Sequence, residues 1–278
     1  MRLPAILPAV LAAAACTLLA QDPRAIVERS VARDDRDDAL ARNYTYLETV
    51  TEQEWKDGRR SKAETETFEI LNLYGQPYRR LVARDGKPLP PADREKEQRK
   101  LDRLAAERAR ESPEKRQRRL DRYAAEQKER RAFLQEIPAA YRFAMAGETV
   151  IDNRPAWIID ATPIEGYRPR DRRAKLLKSF KGRFFVDKQD AALLKLEAEA
   201  IEPVSFGLVL ARLDRGARFT LSKTHVNNEL WMPARIKVDF DARLALLKRL
   251  KVDLQIDYSE FRKFQSESRI VAGISPPR

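Results

Sequence analysis

Apolar positions recur every three or four residues through "DPRAIVERSVARDDRDDALARN", residues 22–43, where Ile26, Val27, Val31 and Leu40 share one stripe. That period predicts an α-helix, opened by Asp22 and Pro23 as cap and first-turn proline. The period then drops to two. "NYTYLETVTEQEW" and "SKAETETFEILNLYG" alternate apolar and polar residues on either side of Asp57-Gly58, the pattern of a β-hairpin. "PYRRLVARDGKPLPP" adds a short strand and a proline-rich exit.

Residues 91–136 differ in kind. They hold no β-branched residue and no glycine, and Glu, Lys, Arg and Ala dominate. These are good helix formers, and Ser112-Pro113-Glu114 reads as a break with a fresh cap, so two helices are expected. Their apolar stripes are narrow: Leu101, Leu104, Ala105 and Ala109, then Leu120, Tyr123, Ala124, Phe133 and Leu134. One edge of each helix docks and the remainder faces water.

From Ala140 onward alternation returns and persists. "YRFAMAGETVID" turns at Asp152-Asn153 into "PAWIIDATPIEGYRP", and "KSFKGRFFVDKQDAALLKLEAEAI" turns at Lys188-Gln189-Asp190. Residues 216–264 read as three long strands, with turns near Asn227-Asn228 and near Leu247-Lys248-Arg249. One face of that block collects Phe219, Leu221, Met232, Ile236, Val238, Phe240, Leu244, Val252, Leu254, Ile256 and Tyr258, and the other is mainly Arg, Lys, Asp, Thr and Gln. A sheet with one greasy and one wet face is antiparallel and needs a cover on its inner side. The N-terminal helix is one cover. "VSFGLVLARL", residues 204–213, is apolar nearly all round and is read as another.

Composition narrows the partners. The 278 residues carry a formal net charge of +12, with 35% charged and 43% hydrophobic residues, enough apolar content for a packed core. A basic chain favours anionic partners: nucleic acid, anionic head groups or an acidic protein. The N-terminus decides among them. "MRLPAILPAVLAAAACTLLAQDP" has one early charge, an apolar run and small residues near Ala20, the pattern of a secretory signal peptide over residues 1–20. Two other readings stay open, a lipoprotein signal at Cys16 and an uncleaved anchor. All three export residues 21–278, expected to form one domain in the periplasm. Cys16 is the only cysteine, so the exported body needs no disulfide framework. Export also removes nucleic acid as a partner. Residues 91–136 agree, because 15 Lys/Arg are interleaved with 11 Asp/Glu rather than forming a one-sided arm.

Little in the sequence points to catalysis. His225 is the single histidine and sits in an alternating strand; no Gly-x-Ser-x-Gly elbow accompanies it. Asp187 and Asp190 flank a turn, where Asp serves local backbone hydrogen bonds. The run Asp34, Asp35, Asp37 and Asp38 lacks the glycine and ligand spacing of a Ca²⁺ loop and is read as a solvated helix face or end. Tyr44, Tyr46, Trp157 and Trp231 are read as core rather than as walls of a cavity. No enzyme, metal or cofactor is expected.

Gly182, Phe184, Val186 and Asp187, followed by a short turn and an apolar return strand, and later Trp231 and Pro233 before a long strand, carry a resemblance. The chain resembles the LolA-like, outer-membrane lipoprotein-sorting superfamily over about residues 25–265, interrupted by the charged helical insertion 91–136. The resemblance implies an α+β fold: a strongly curved antiparallel sheet, an incomplete barrel, wrapped around helices that enclose an apolar hollow. The helical insertion protrudes from it as a charged hairpin. The resemblance further implies a non-enzymatic carrier of a lipid or lipidated protein. Residues expected to line the hollow are Phe184, Val186, Leu194, Leu196, Phe219, Leu221, Ile236, Val238, Leu254, Ile256 and Tyr258. The alternative is an envelope interaction or sensor module with a self-filled core, docking through the hairpin onto anionic head groups or an acidic envelope protein.

Overall fold

The computed structural model describes residues 21–56, 58–170, 173–206, 211–244 and 248–264. The expected export segment and Cys16 lie outside the described residues.

Helix α1 runs Pro23–Ala41, and the Asp22 carboxylate accepts from the Arg24 N–H at 3.0 Å. Strands β1 (Tyr44–Lys56) and β2 (Arg59–Leu73) form the first hairpin, with Gly58 at φ +75°. β3 (Gln76–Arg84) and the short β4 (Lys87–Pro88) follow. The charged segment folds into α2 (Pro91–Ala109) and α3 (Pro113–Ala140). They part at Ser112, whose hydroxyl accepts from the Lys115 N–H at 3.3 Å. α3 runs a turn beyond residue 136 and carries Ile137 into the interior.

β5 (Tyr141–Ile151) and β6 (Arg154–Pro163) join at Asp152-Asn153, both at positive φ as a two-residue hairpin turn requires. After a 3₁₀ helix (Arg173–Ser179) come β7 (Phe180–Asp187) and β8 (Leu193–Ala200). β9 (Val204–Phe206) and β10 (Ala211–Leu213) are short. β11 (Arg218–Val226), β12 (Leu230–Leu244) and β13 (Lys248–Lys263) complete the chain. Lys248 and Arg249, expected at the last turn, already pair in β13 with Leu244 and Arg243, and Leu247 lies outside the described residues.

All pairings are antiparallel, in the order β4-β3-β2-β1-β13-β12-β11-β8-β7-β6-β5. The first and last long strands meet mid-sheet. The sheet does not close, because β4 ends one edge and β5 the other. This is the curved, open α+β arrangement that the sequence predicted.

Residues 204–206 and 211–213 do not form a separate cover, and 207–210 lie outside the described residues. β9 pairs with β10, and β10 pairs with the far end of β12, Ala211 opposite Leu244, so these two strands extend the sheet. The physical reason is the β-branched and aromatic content of the segment's start, which fits a pleated surface. Cover comes instead from α1, α3 and the 3₁₀ helix. Ile26 and Val27 of α1, Ile137 of α3 and Leu177 of the 3₁₀ helix share one core with Trp157, Ile159, Phe184 and Val186 of the sheet.

Candidate ligand-binding hollow

Cross-strand register builds the floor of a hollow. Phe184, Leu196, Leu221, Ile236 and Ile256 stand opposite one another along one row across β7, β8, β11, β12 and β13. The next row reads Gly182, Ala198, Phe219, Val238 and Leu254. Directly opposed residues share a face, so both rows point the same way. The roof is Phe133, Leu134 and Ile137 of α3 with Leu176 and Leu177 of the 3₁₀ helix. Between roof and floor lies a cavity of about 420 Å³. It falls within the ~300–1,000 Å³ usual for small-molecule sites. Gly182 and Ala198 contribute little bulk to the second row.

The walls are almost wholly apolar. Lys181 and Arg218 are the charged residues among those that border it. Lys181 belongs to the outer row, where its ammonium lies 3.3 Å from Glu199. The one hydroxyl among the described lining side chains, that of Tyr141, donates to the Leu177 carbonyl, and the apolar remainder is a surface suited to a hydrocarbon.

Of the residues expected to line the hollow, Phe184, Leu196, Phe219, Leu221 and Val238 border it. Ile236, Leu254 and Ile256 continue the same two rows, half-buried, beyond its edge. Val186 is on the inner face but is fully buried in the core with Ile26 and Val27. Leu194 is a correction. β8 slips register against β7 between Phe185 and Val186, and Leu194 turns into a cluster on the opposite face with Ala156, Ala192 and Trp231. Strict alternation along β8 cannot reveal such a bulge. The roof was missed in part: Leu176 and Leu177 gave no periodic signal, whereas Phe133 and Leu134 were visible as a docking stripe.

Tyr258 lines a second hollow, of about 300 Å³, under α1 and α3 and over β1, β2 and β12. Tyr44, Tyr46 and Tyr123 line it as well, so both strand tyrosines border a cavity, and Tyr46 also packs against the core cluster that holds Tyr44. Tyr44 and Trp157 are buried in core clusters.

The remaining candidates serve the scaffold. Asp187 is fully buried; Arg154 donates to it at 2.5 and 3.0 Å, and the Gln189 and Asp190 N–H groups donate to Oδ1. Asp190 accepts from Trp231 Nε1 at 3.1 Å, and His225 stacks on the Trp231 ring at 4.8 Å. The acidic run of α1 is not a solvated face. Asp34 meets Lys223, Asp35 accepts from Gln135, Asp37 accepts from the Trp231 N–H and pairs with Arg33, and Asp38 pairs with Arg130. Among the described residues, no group of three His, Cys, Asp or Glu side chains is placed to hold a metal. Nor is any described helix long and apolar enough to cross a membrane.

Neither a scan of protein-family models nor a search of curated proteins finds a match. Among solved structures, the chain is similar to a DUF1329 family protein from Desulfovibrio piger, 12% identical over 89% of this chain and 95% of that one, with a TM-score of 0.36. It is similar to a putative outer membrane lipoprotein-sorting protein domain from Vibrio parahaemolyticus, 10% identical over 88% and 95%, TM-score 0.34. A LolA superfamily protein from Nitrosomonas europaea matches at 12% identity over 87% and 94%, TM-score 0.33.

Proposed function

We propose that this chain is a non-enzymatic binding protein of the cell envelope that holds an acyl chain, of a lipid or of a lipidated protein, in the hollow between α3 and the sheet. One observation carries the reading: an apolar cavity of about 420 Å³ is left between roof and floor. Kept dry and empty, such a volume forfeits on the order of 10 kcal/mol of contacts at ~24 cal/mol per Å³. An alkyl chain of ~12 to 16 carbons entering it gains a comparable amount at ~0.8 kcal/mol per CH₂, before the cost of association. Binding of that kind needs no polar motif, in keeping with walls that carry none. The envelope location rests on the export pattern of residues 1–20.

The test is native mass spectrometry of protein purified without detergent, paired with displacement of a fluorescent fatty acid. A co-purifying acyl species and saturable displacement are expected. Absence of both would leave the interaction-module alternative standing and end the carrier reading.

A further inference from the structure

The second hollow differs from the first in chemistry. Its walls include the rings of Tyr46, Tyr123 and Tyr258, the Gln127 amide and the Asp38–Arg130 pair. The Tyr46 and Tyr258 rings lie 6.0 Å apart, centroid to centroid. Burial pushes the Tyr46 hydroxyl up to about 12, and it pushes Tyr258 up as well. Among the described residues, the hydroxyls of Tyr46, Tyr123 and Tyr258 have no hydrogen-bond partner. Half-buried polar groups left without a protein partner are filled by water or by a ligand. Each tyrosyl hydroxyl both donates and accepts, and the Gln127 NH₂ adds donors.

Charge decides what kind of ligand fits. Arg130 is committed to Asp38, and Glu48, also on the wall, is committed to Arg79. The other lining cation, Arg42 at the C-terminal cap of α1, has no carboxylate partner among the described residues but is exposed, where water screens its charge. An uncharged group rich in hydroxyls meets matching donors and acceptors. Phe133 and Leu134, on the roof of the apolar hollow, stand about one helical turn beyond Arg130, roughly 5 Å along α3. On β12, Pro233 borders this hollow and Val238 the apolar one, with Ile236 between them. The two hollows are therefore neighbours under one helix.

We infer that the tyrosine-lined hollow receives an uncharged, polyhydroxylated head group while the hydrocarbon lies in the apolar hollow. The inference rests on the carrier reading and adds the class of ligand. Two sources share that chemistry, a glycolipid-type amphiphile and a free sugar.

The experiment measures binding of dodecyl maltoside below its micellar concentration, dodecanoate, dodecylphosphocholine and maltose by titration calorimetry. The proteins are wild type and the double variant Tyr46→Phe, Tyr258→Phe, which keeps both rings. The expected result is at least tenfold tighter binding of the maltoside than of the two chains with charged heads, with that advantage lost in the double variant. Maltose binding that the variant abolishes supports the same site and identifies a free sugar as sufficient. Equal binding of all three amphiphiles, or an unaltered maltoside affinity in the variant, overturns the head-group assignment while leaving the carrier reading intact. No binding of any amphiphile overturns both. Circular dichroism and thermal melting of the variant establish that it is folded, and Tyr123→Phe gives a second, independent reading of the same prediction.

Discussion

Asp34 on α1 and Lys223 on β11 meet inside the molecule, Oδ1 to Nζ at 2.7 Å, and tie the covering helix to the middle of the sheet. Burial pushes the Asp34 carboxyl up, and the Lys223 ammonium opposes that shift without cancelling it. Replacing Lys223 by Met leaves an uncompensated carboxylate. The expected loss at pH 7 is about 2 to 3 kcal/mol, below the full cost for a completely buried pair because both groups keep some exposure. The sign follows from the raised folded value: the ionised form is the penalised one, so stability falls as pH rises through that value. Urea denaturation of Lys223→Met should show a larger deficit at pH 7 than at pH 4. A deficit independent of pH would place the defect in packing and not in the charge.

How α1 attaches was only half legible. Ile26 and Val27 announced the buried stripe by their spacing. Asp34, Asp35, Asp37 and Asp38 gave no sign that each has its own partner, because those partners are 100 or more residues away for Asp34, Asp35 and Asp37 and are fixed only by the tertiary fold. The floor of the hollow was legible for a related reason. Phe219, Leu221 and Val238 alternate cleanly, and alternation maps directly onto a face. Leu194 failed because one extra residue in β8 inverts the count. The roof failed where a 3₁₀ helix carries it, since Leu176 and Leu177 are adjacent and show no period. Tyr46 and Tyr258 were both visible as strand aromatics, yet only the curvature that brings α3 over them turns them into walls.

Asp187 reports on the β6–β7 end of the sheet. Its burial favours the neutral acid, but the Arg154 guanidinium and the turn N–H groups outweigh burial and hold the carboxyl below its usual range. A depressed folded value gives stability that is present above the unfolded value near ~4 and lost as pH falls through the folded one. Asp187→Asn should therefore cost about 2 to 4 kcal/mol at neutral pH and less at pH 3. Chemical denaturation at the two pH values measures the difference. Equal losses at both would contradict the ion-pair account.

Arg119 holds the helical hairpin to the sheet. Its Nη1 donates to the Tyr74 carbonyl at 3.1 Å and its Nε to Glu111 at 3.0 Å, while Arg108 donates to the Leu73 carbonyl beside it. The β2–β3 turn and the α2–α3 turn are thus clipped together. Arg119→Ala should cost about 1 to 3 kcal/mol for the acceptor left unsatisfied. Amide hydrogen exchange should rise in α2 and the first half of α3 and remain unchanged in β6 and β7. Uniform loss of protection across both regions would mean that the clip supports the whole fold.

Asp239 on β12 and Asp253 on β13 stand directly opposite each other in the ladder. Burial and then the neighbouring Asp239 push the Asp253 carboxyl up. Like charges at opposed positions destabilise a sheet, and exposure here screens most of the effect. Asp253→Asn should stabilise the protein by about 0.5 kcal/mol at pH 7 in low salt. The gain should shrink with added salt, and also as pH falls and Asp253 of the wild type takes up its proton. A thermal melt series over salt and pH checks both trends; a destabilised variant at pH 7 would show that the carboxylate makes a favourable contact worth more than the repulsion.

Filling the apolar hollow separates open space from a packed core. Ala198 lines it, between Gly182 and Phe219 in the same row. In a close-packed interior, Ala198→Leu adds volume where there is none and costs about 1 to 3 kcal/mol. In a hollow of about 420 Å³ the added carbons have room. They remove apolar wall from water and stabilise the protein by up to about 2 kcal/mol. The same carbons occupy the place of a ligand chain, so fatty-acid displacement should weaken at least tenfold. Stability and binding then move in opposite directions, a signature that neither general destabilisation nor a surface effect produces. Should Ala198→Leu instead lower the melting temperature and leave binding unchanged, the site of binding would lie elsewhere on the sheet.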